Sequence, residues 1–320
     1  MHFLVTGGAG FIGSHVAERL LRDGHRVTVW DDLNPFYDPA VKRANLASAA
    51  RLGRSRFHFL ELDLTDAVQL STATQGEPFD QVIHLAARAG VRPSLEQPAL
   101  YQRVNVEGTV NLLEAVRQTG CRKFVLASSS SVYGINAKVP FSEADPIFHP
   151  ISPYAASKLA CEGLGHVYHH LYGLDITMVR FFTVYGPRQR PDLAIHKFAS
   201  LIHQGRPIPI FGDGSTRRDY TYIDDIVAGV MACTERSFGY SIFNLGESQT
   251  VRLDELVGHL EAALGKRAIL ERHPAQPGDV PVTFADISKA QAQLDYRPTT
   301  KIADGIPRFV DWFLGRPSSP

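Results

Sequence analysis

The sequence predicts a doubly wound α/β fold: a parallel sheet with helices on both faces over residues 1–180, followed by a smaller mixed α/β lobe over residues 181–320. Three observations predict it. Short apolar runs alternate with longer helical patterns through the first 180 residues. The runs are rich in Val, Ile, Leu and Phe without clean polar alternation. The first run leads straight into a glycine-rich turn. Strands read this way when helices cover both faces of a parallel sheet.

Taken in order, HFLVT (2–6) is the first strand, TGGAGFIGSH is the turn, and a helix over 12–23 follows. RVTVWD, FHFLELD, DQVIHLA, KFVLAS and ITMVRFF are the next strands, with helices over 98–119 and 153–172 among their connections. Beyond YGP at 185–187 the pattern mixes. Helices over 192–204, 224–235, 253–264 and 303–315 are separated by short strands such as IPIF and SIFNL, and some strands are expected to return to the main sheet. The Pro/Gly-rich RHPAQPGDVP (272–281) reads as a loop. No linker, low-complexity tract or internal repeat interrupts the chain.

With 320 residues, 44% of them apolar and 21% charged, the chain can bury a large core. Lys plus Arg and Asp plus Glu are both 33, a balance that argues against a nucleic-acid or membrane-surface partner. Cys121, Cys161 and Cys233 form no C-x-x-C, which suits a reducing, cytoplasmic setting and neither a disulfide framework nor a metal site. The start MHFLVTGGAG meets glycine too early for a signal-peptide core, and no apolar run reaches bilayer-spanning length.

Gly7, Gly10 and Gly13 make a G-x-x-G-x-x-G, and Gly8 completes a G-x-G-x-x-G. Glycine permits a tight turn and close approach of backbone to a pyrophosphate, while the following helix presents N–H groups and its positive end. The second strand ends in Asp31, 18 residues after Gly13. A carboxylate there can accept the adenosine ribose hydroxyls and repels a 2′-phosphate, which favours NAD over NADP. This makes the first region a Rossmann-type nucleotide-binding domain. Asp63, closing the third strand, falls near the adenine or serves a turn or helix cap.

SPYAASK places Tyr154 and Lys158 at i, i+4, on one helical face. Ser152 suits the N-cap and Pro153 the first helical position, so the pair sits in the opening turns. A free tyrosine, with a pKa of about 10, is a poor base at neutral pH. A neighbouring ammonium and a nicotinamide cation stabilise its phenolate, and such a Tyr can exchange a hydroxyl proton while hydride moves to NAD. A Ser-rich strand end, ASSSSVYG, lies about 25 residues upstream.

With GGAGFIG, HLAA, SSSSVYG, SPYAASK, RFFTVYGP and RRDYTYIDD in this order, the chain resembles the extended short-chain dehydrogenase/reductase family, sugar-nucleotide epimerase branch, over essentially its whole length. The resemblance implies a catalytic triad of Ser129, Tyr154 and Lys158 and a tightly bound NAD. It implies cofactor contacts from Gly7, Gly10, Phe11, Ile12 and Gly13, from Asp31, Asp32 and Asn34, and from Asp63 and Leu64. Leu85, Ala86, Ala87 and Asn105 complete that set with Tyr154 and Lys158. It also implies a homodimer paired through helices 98–119 and 153–172.

The serine run bears on the reaction. Related dehydratases carry Asp-Glu after the catalytic Thr, and related decarboxylases carry Glu just before V-Y-G. Here those positions are Ser130 and Ser131, whose hydroxyls orient a substrate but are neither acid nor base at neutral pH. What survives is oxidation at sugar carbon 4 and return of the hydride, that is, epimerisation. HLAARAGVRPSLEQP, RFFTVYGPRQRPD and QPGDVPVTFADISKA resemble UDP-glucuronate 4-epimerases in particular. The implied substrate contacts are Arg88, Ser129, Ser130, Ser131 and Thr183, with Arg190 in the adjacent loop. Arg218 falls at the diphosphate and Asp279 at the uridine ribose or in a plain turn. The rivals are a UDP-glucose/galactose 4-epimerase and, from another class, a non-catalytic NAD-binding regulatory protein. The intact Ser129, Tyr154 and Lys158 disfavour the second.

Overall fold

β1 (His2–Thr6) begins a computed structural model that describes residues 1–76, 78–136, 138–274 and 280–315. Its last four residues are buried, and it pairs in parallel with β2 (Arg26–Asp31) on one side and β4 (Gln81–His84) on the other. β3 (Phe57–Glu61) extends β2, and β5 (Lys123–Ser129) extends β4, both in parallel. β6 (Asp175–Phe181) and β10 (Tyr240–Leu245) complete a seven-stranded sheet in the order β10-β6-β5-β4-β1-β2-β3. The reversal of order beside β1 is the doubly wound switch point, where ligands bind at the carboxyl ends of strands.

The connections are α1 (Phe11–Arg22), α2 (Pro39–Gly53), α3 (Ala67–Ala73), α4 (Val91–Glu96), α5 (Pro98–Tyr101), α6 (Gly108–Arg117) and α7 (Pro153–Tyr172). Leu4, Trp30, Val82, Phe124 and Met178 of the sheet meet Leu70 of α3, Leu112 and Val116 of α6, and Tyr168 of α7 in one buried cluster. Each such side chain contributes about 1.5–3 kcal/mol relative to exposure, which is what docks the helices. The 98–119 stretch is not one α-helix. A π segment, Gln102–Glu107, separates α5 from α6. Its wider turn carries Asn105, which is 1% exposed and faces inward, a change that apolar periodicity does not signal.

The chain divides into two compact units. The first is Met1–Ile135, Pro146–Arg180 and Val227–Phe243; the second is Asn136–Asp145, Phe181–Ile226 and Asn244–Pro320. The chain passes from one unit to the other after residues 135, 145, 180, 226 and 243. β10 joins the main sheet, as SIFNL in the lobe allowed. In the second unit β7 (Thr183–Tyr185), β9 (Arg217–Tyr222) and β11 (Thr250–Arg252) form a sheet in the order β11-β9-β7. β8 (Pro207–Phe211) pairs in parallel with β12 (Ile269–His273), so Arg272 and His273, read from sequence as loop, are strand. α8 (Ala194–His203), α10 (Leu253–Leu264), α11 (Ser288–Leu294) and α12 (Ile302–Phe313) belong to this unit, while the residues of α9 (Ile223–Glu235) are assigned to the second unit up to Ile226 and to the first from Val227. Among the described residues no helix is long and apolar enough to cross a membrane.

Candidate active site

The glycine turn is shaped by what it touches. Gly7 has φ +69°, and a Cβ there would lie 2.6 Å from the Ala86 nitrogen. A Cβ on Gly13 would lie 2.1 Å from the Gly7 carbonyl oxygen. The turn is thus pressed against the exit of β4 and closed on itself, and only glycine fits. Gly10 caps α1 with no side chain, and the first turn, which holds buried Phe11 and half-buried Ile12, has no acidic residue. A backbone-lined helix N-terminus free of negative charge fits a pyrophosphate.

Asp31 ends β2 and is 6% exposed. Its Oδ2 accepts the Ala9 N–H at 3.1 Å, and its Oδ1 accepts the Leu33 N–H at 3.0 Å and the Lys42 ammonium at 3.3 Å. Burial raises its pKa above the usual carboxylate range, with Lys42 opposing. Lys42 and, three residues on, Asn45, which donates to the Ala9 carbonyl at 2.9 Å, were missed by the sequence reading. Their i, i+3 spacing after the Asp38-Pro39 helix start was the available signal. Exposed Asp32 accepts from Asn34 N–H, and Asp63 accepts from Thr65 N–H at 2.8 Å, so Asp63 makes the turn that was its alternative role. Leu64 is buried, and its carbonyl accepts from Asn111.

A chain of hydrogen bonds crosses from β1 to α7. His84, 4% exposed, has Nδ1 2.7 Å from Thr6 Oγ1 and Nε2 3.0 Å from Thr109 Oγ1. Burial, then the Lys158 charge, lowers its pKa to about 3, which keeps it neutral. Thr109 donates to the Asn105 carbonyl. The Asn105 amide accepts from Arg88 N–H at 2.7 Å, donates to the Arg88 carbonyl at 3.0 Å and donates to Ser157 Oγ at 2.9 Å. Asn105 therefore fixes the half-buried loop Leu85, Ala86, Ala87 and Arg88 against α7.

At the end of β5 the serine run turns into a short 3₁₀ segment, Ser130–Tyr133. Ser129 is 8% exposed and its Oγ accepts the Ser131 N–H at 3.2 Å. α7 starts as read: Ser152 Oγ accepts the Ala155 N–H at 3.1 Å and Pro153 follows. Tyr154 packs edge-on against Tyr101 with ring centroids 6.1 Å apart. Lys158, one turn on and 4% exposed, donates to the Ala127 carbonyl at 2.8 Å, two residues before Ser129. The first unit thus gathers the glycine turn, Asp31, the 85–88 loop, Asn105, the serines, Tyr154 and Lys158.

Thr183, Arg190 and Arg218 lie in the second unit. Thr183 opens β7, opposite Tyr220 of β9. Arg190 forms a two-bonded pair with Asp192, at 2.9 and 2.6 Å, so carboxylate binding by Arg190 competes with a partner two residues away. Arg218 lies within β9, opposite Val251 of β11 and next to Asp219, a fully buried carboxylate absent from the sequence reading. Asp219 accepts N–H groups from Glu247, Ser248 and Ala285 at 2.7, 3.1 and 3.1 Å; burial lifts its pKa to about 6 and these bonds oppose the rise. Asp279 lies outside the described residues. Among the described residues no cluster of His, Cys, Asp and Glu could hold a metal.

The GDP-mannose 4,6 dehydratase family matches residues 4–309. The chain belongs to this family. The chain is similar to a UDP-glucuronate 4-epimerase of Thermodesulfobacterium geofontis, 45% identical over 97% of this chain and 95% of that protein's length. A crystal structure of UDP-glucuronic acid 4-epimerase from Bacillus cereus, in complex with UDP-glucuronic acid and NAD, superposes with TM-score 0.92 at 38% identity, covering 98% of this chain and 99% of that one. UDP-glucose 4-epimerase of Thermotoga maritima, with UDP-glucose, gives TM-score 0.89 at 32% identity and the same coverage.

Proposed function

We propose that the protein is an NAD-dependent UDP-sugar 4-epimerase that interconverts UDP-glucuronate and UDP-galacturonate. The observation that carries this reading is the serine run: Ser129, Ser130 and Ser131 leave β5 with no carboxylate among them, beside the helix of Tyr154 and Lys158. The family's namesake dehydration needs acids there, and an epimerase does not. The relatives named epimerases support the reading, and those named for UDP-glucuronate support the sugar.

The glycine-lined start of α1 and the Asp31 carboxylate at the end of β2 fit NAD, and that carboxylate disfavours NADP. Bound there, NAD would supply the hydride acceptor, and in its reduced form the hydride donor, for sugar carbon 4. Tyr154 accepts the O4 hydroxyl proton and later returns it, and Lys158, held by Ala127, supplies positive charge one turn away. Ser129 donates a hydrogen bond to O4. Ser130, Ser131 and Thr183 donate to the uronate carboxylate, and Arg218 meets the diphosphate. Neutral donors leave the ring free to turn and, by holding the carboxylate, keep the 4-keto sugar from losing carbon dioxide. Two copies pair through the 98–119 and 153–172 segments, which the exposed Val167 and Leu171 of α7 support. The buried, unpaired cysteines support a cytoplasmic setting.

Incubating the protein separately with UDP-glucuronate and UDP-glucose and resolving the epimers tests the reading. Conversion of UDP-glucuronate is expected to dominate. Preference for UDP-glucose moves the assignment to the neutral sugar, and conversion of neither refutes it.

A further inference from the structure

A carboxylate and a guanidinium lie side by side beneath the serine run. Glu162 of α7 and Arg180 of β6 are each 3% exposed. Arg180 Nε donates to Glu162 Oε1 at 2.8 Å, and Nη2 donates to Oε2 at 2.7 Å. Two further bonds reach the run itself. Ser128 Oγ donates to Glu162 Oε1 at 2.5 Å, and Arg180 Nη1 donates to the Tyr133 hydroxyl at 2.9 Å. Ser128 immediately precedes Ser129, and Tyr133 ends the turn that holds Ser130 and Ser131. The ion pair therefore grips the run from both ends.

The other side of the grip is α7. Glu162 stands one turn beyond Lys158 and two beyond Tyr154, on the same helical face. Lys158 bonds the Ala127 carbonyl and Glu162 bonds the Ser128 hydroxyl, so α7 is stitched to successive residues of β5. The Tyr240 hydroxyl adds a bond to the Glu162 backbone carbonyl at 2.9 Å.

Stability is a weak reason for such a pair. Desolvating two charges offsets most of their attraction, and apolar side chains of like volume often serve a core as well. Proton transfer is no better reason. Glu162 is occupied by three donors, and a guanidinium stays charged throughout the working pH range. What the pair supplies, and apolar packing does not, is a fixed distance and angle between a strand end and a helix, because parallel N–H···O bonds are directional.

We propose that the Glu162–Arg180 pair is a positioning element of the catalytic centre, fixing the Ser129, Ser130 and Ser131 hydroxyls relative to Tyr154 and Lys158. The proposal rests on the epimerase reading, in which those residues serve one reaction. Neither charged residue touches the reacting atoms; both act through Ser128 and Tyr133.

The test compares wild type, Glu162→Gln and the double variant Ser128→Ala, Tyr133→Phe, which deletes both hydrogen-bonded grips while keeping both charged residues and an aromatic ring beside the Arg180 guanidinium. Turnover is expressed per NAD-loaded site, with UDP-glucuronate and its carbon-4-deuterated form. Misplacing a reacting group by about 1 Å costs on the order of 10²-fold. Each folded variant is therefore expected to lose roughly 10–100-fold in kcat with KM within about threefold, and to show a larger deuterium effect as hydride transfer becomes limiting. A defect of folding alone lowers the number of loaded sites and leaves kcat per site and the isotope effect unchanged. That outcome overturns the proposal. Should Glu162→Gln fail to fold, the double variant decides by the same criteria. If wild type is active and the variants match it, this proposal alone falls; if wild type converts neither sugar, the functional reading falls and takes this proposal with it.

Discussion

Single hydroxyls carry most of the proposed chemistry, and each can be removed without changing shape. Tyr154→Phe deletes the proton-transfer group while Tyr101 still packs against the ring. General acid–base groups contribute roughly 10²–10⁴-fold, so turnover is expected to fall by that much with substrate affinity little changed. Near-normal rates in this variant would place the base elsewhere. Thr183→Val probes the sugar. A hydrogen bond to a charged group is worth about 1.5–3 kcal/mol, so use of UDP-glucuronate is expected to weaken roughly 10–150-fold while UDP-glucose suffers less. Equal losses on both sugars would show that Thr183 does not read the carboxylate. At this scale the sequence displayed the residues with a fixed local spacing, such as Tyr154 and Lys158. It hid Lys42, Glu162, Arg180 and Asp219, because what matters about them is a partner far along the chain, and nothing in their local pattern names that partner.

Elements position these residues, and two of them are open to direct test. In Gly13→Ala the new methyl would fall 2.1 Å from the Gly7 carbonyl oxygen, so the turn must open or α1 must shift. Purified variant is expected to retain far less NAD than wild type, read from absorbance after denaturation; equal retention would show that the turn does not hold the cofactor. β4 is tied to β1 and α6 through His84, whose pKa is lowered from 6.5 to about 3 by burial and then by Lys158. Below pH 6.5 the unfolded chain binds a proton that the folded protein does not, so this group's contribution is full above 6.5 and declines as pH falls toward 3. Comparing denaturant stability of wild type and His84→Gln, the difference is expected to shrink by about 1 kcal/mol between pH 6 and pH 5. A constant difference would contradict a neutral, buried His84. Strand identities and the start of α7 were legible because apolar runs, Ser152 and Pro153 are local signals. The π segment around Asn105 was not, since the partners of that buried amide, Arg88 and Ser157, lie far along the chain and leave no local pattern.

At the scale of the whole molecule, family membership and chemistry are separate statements. The family takes its description from a dehydratase, yet similar proteins of the same fold are named epimerases, and in the reading proposed above the serines at the end of β5 carry the difference. Within the first unit the parallel sheet brings the glycine turn, the 85–88 loop and the serine run to the carboxyl ends of β1, β4 and β5, where such sheets bind ligands. Since Ser130 and Ser131 are no acids, no proton should leave a sugar carbon for water. An epimerase also regenerates its cofactor in every cycle. One measurement reads both consequences: incubate the purified protein with UDP-glucuronate in deuterated water, without added NAD, and follow the sugar by NMR. UDP-galacturonate free of carbon-bound deuterium is expected; deuterium at carbon 5, or turnover only with stoichiometric consumption of added NAD, would contradict a 4-epimerase.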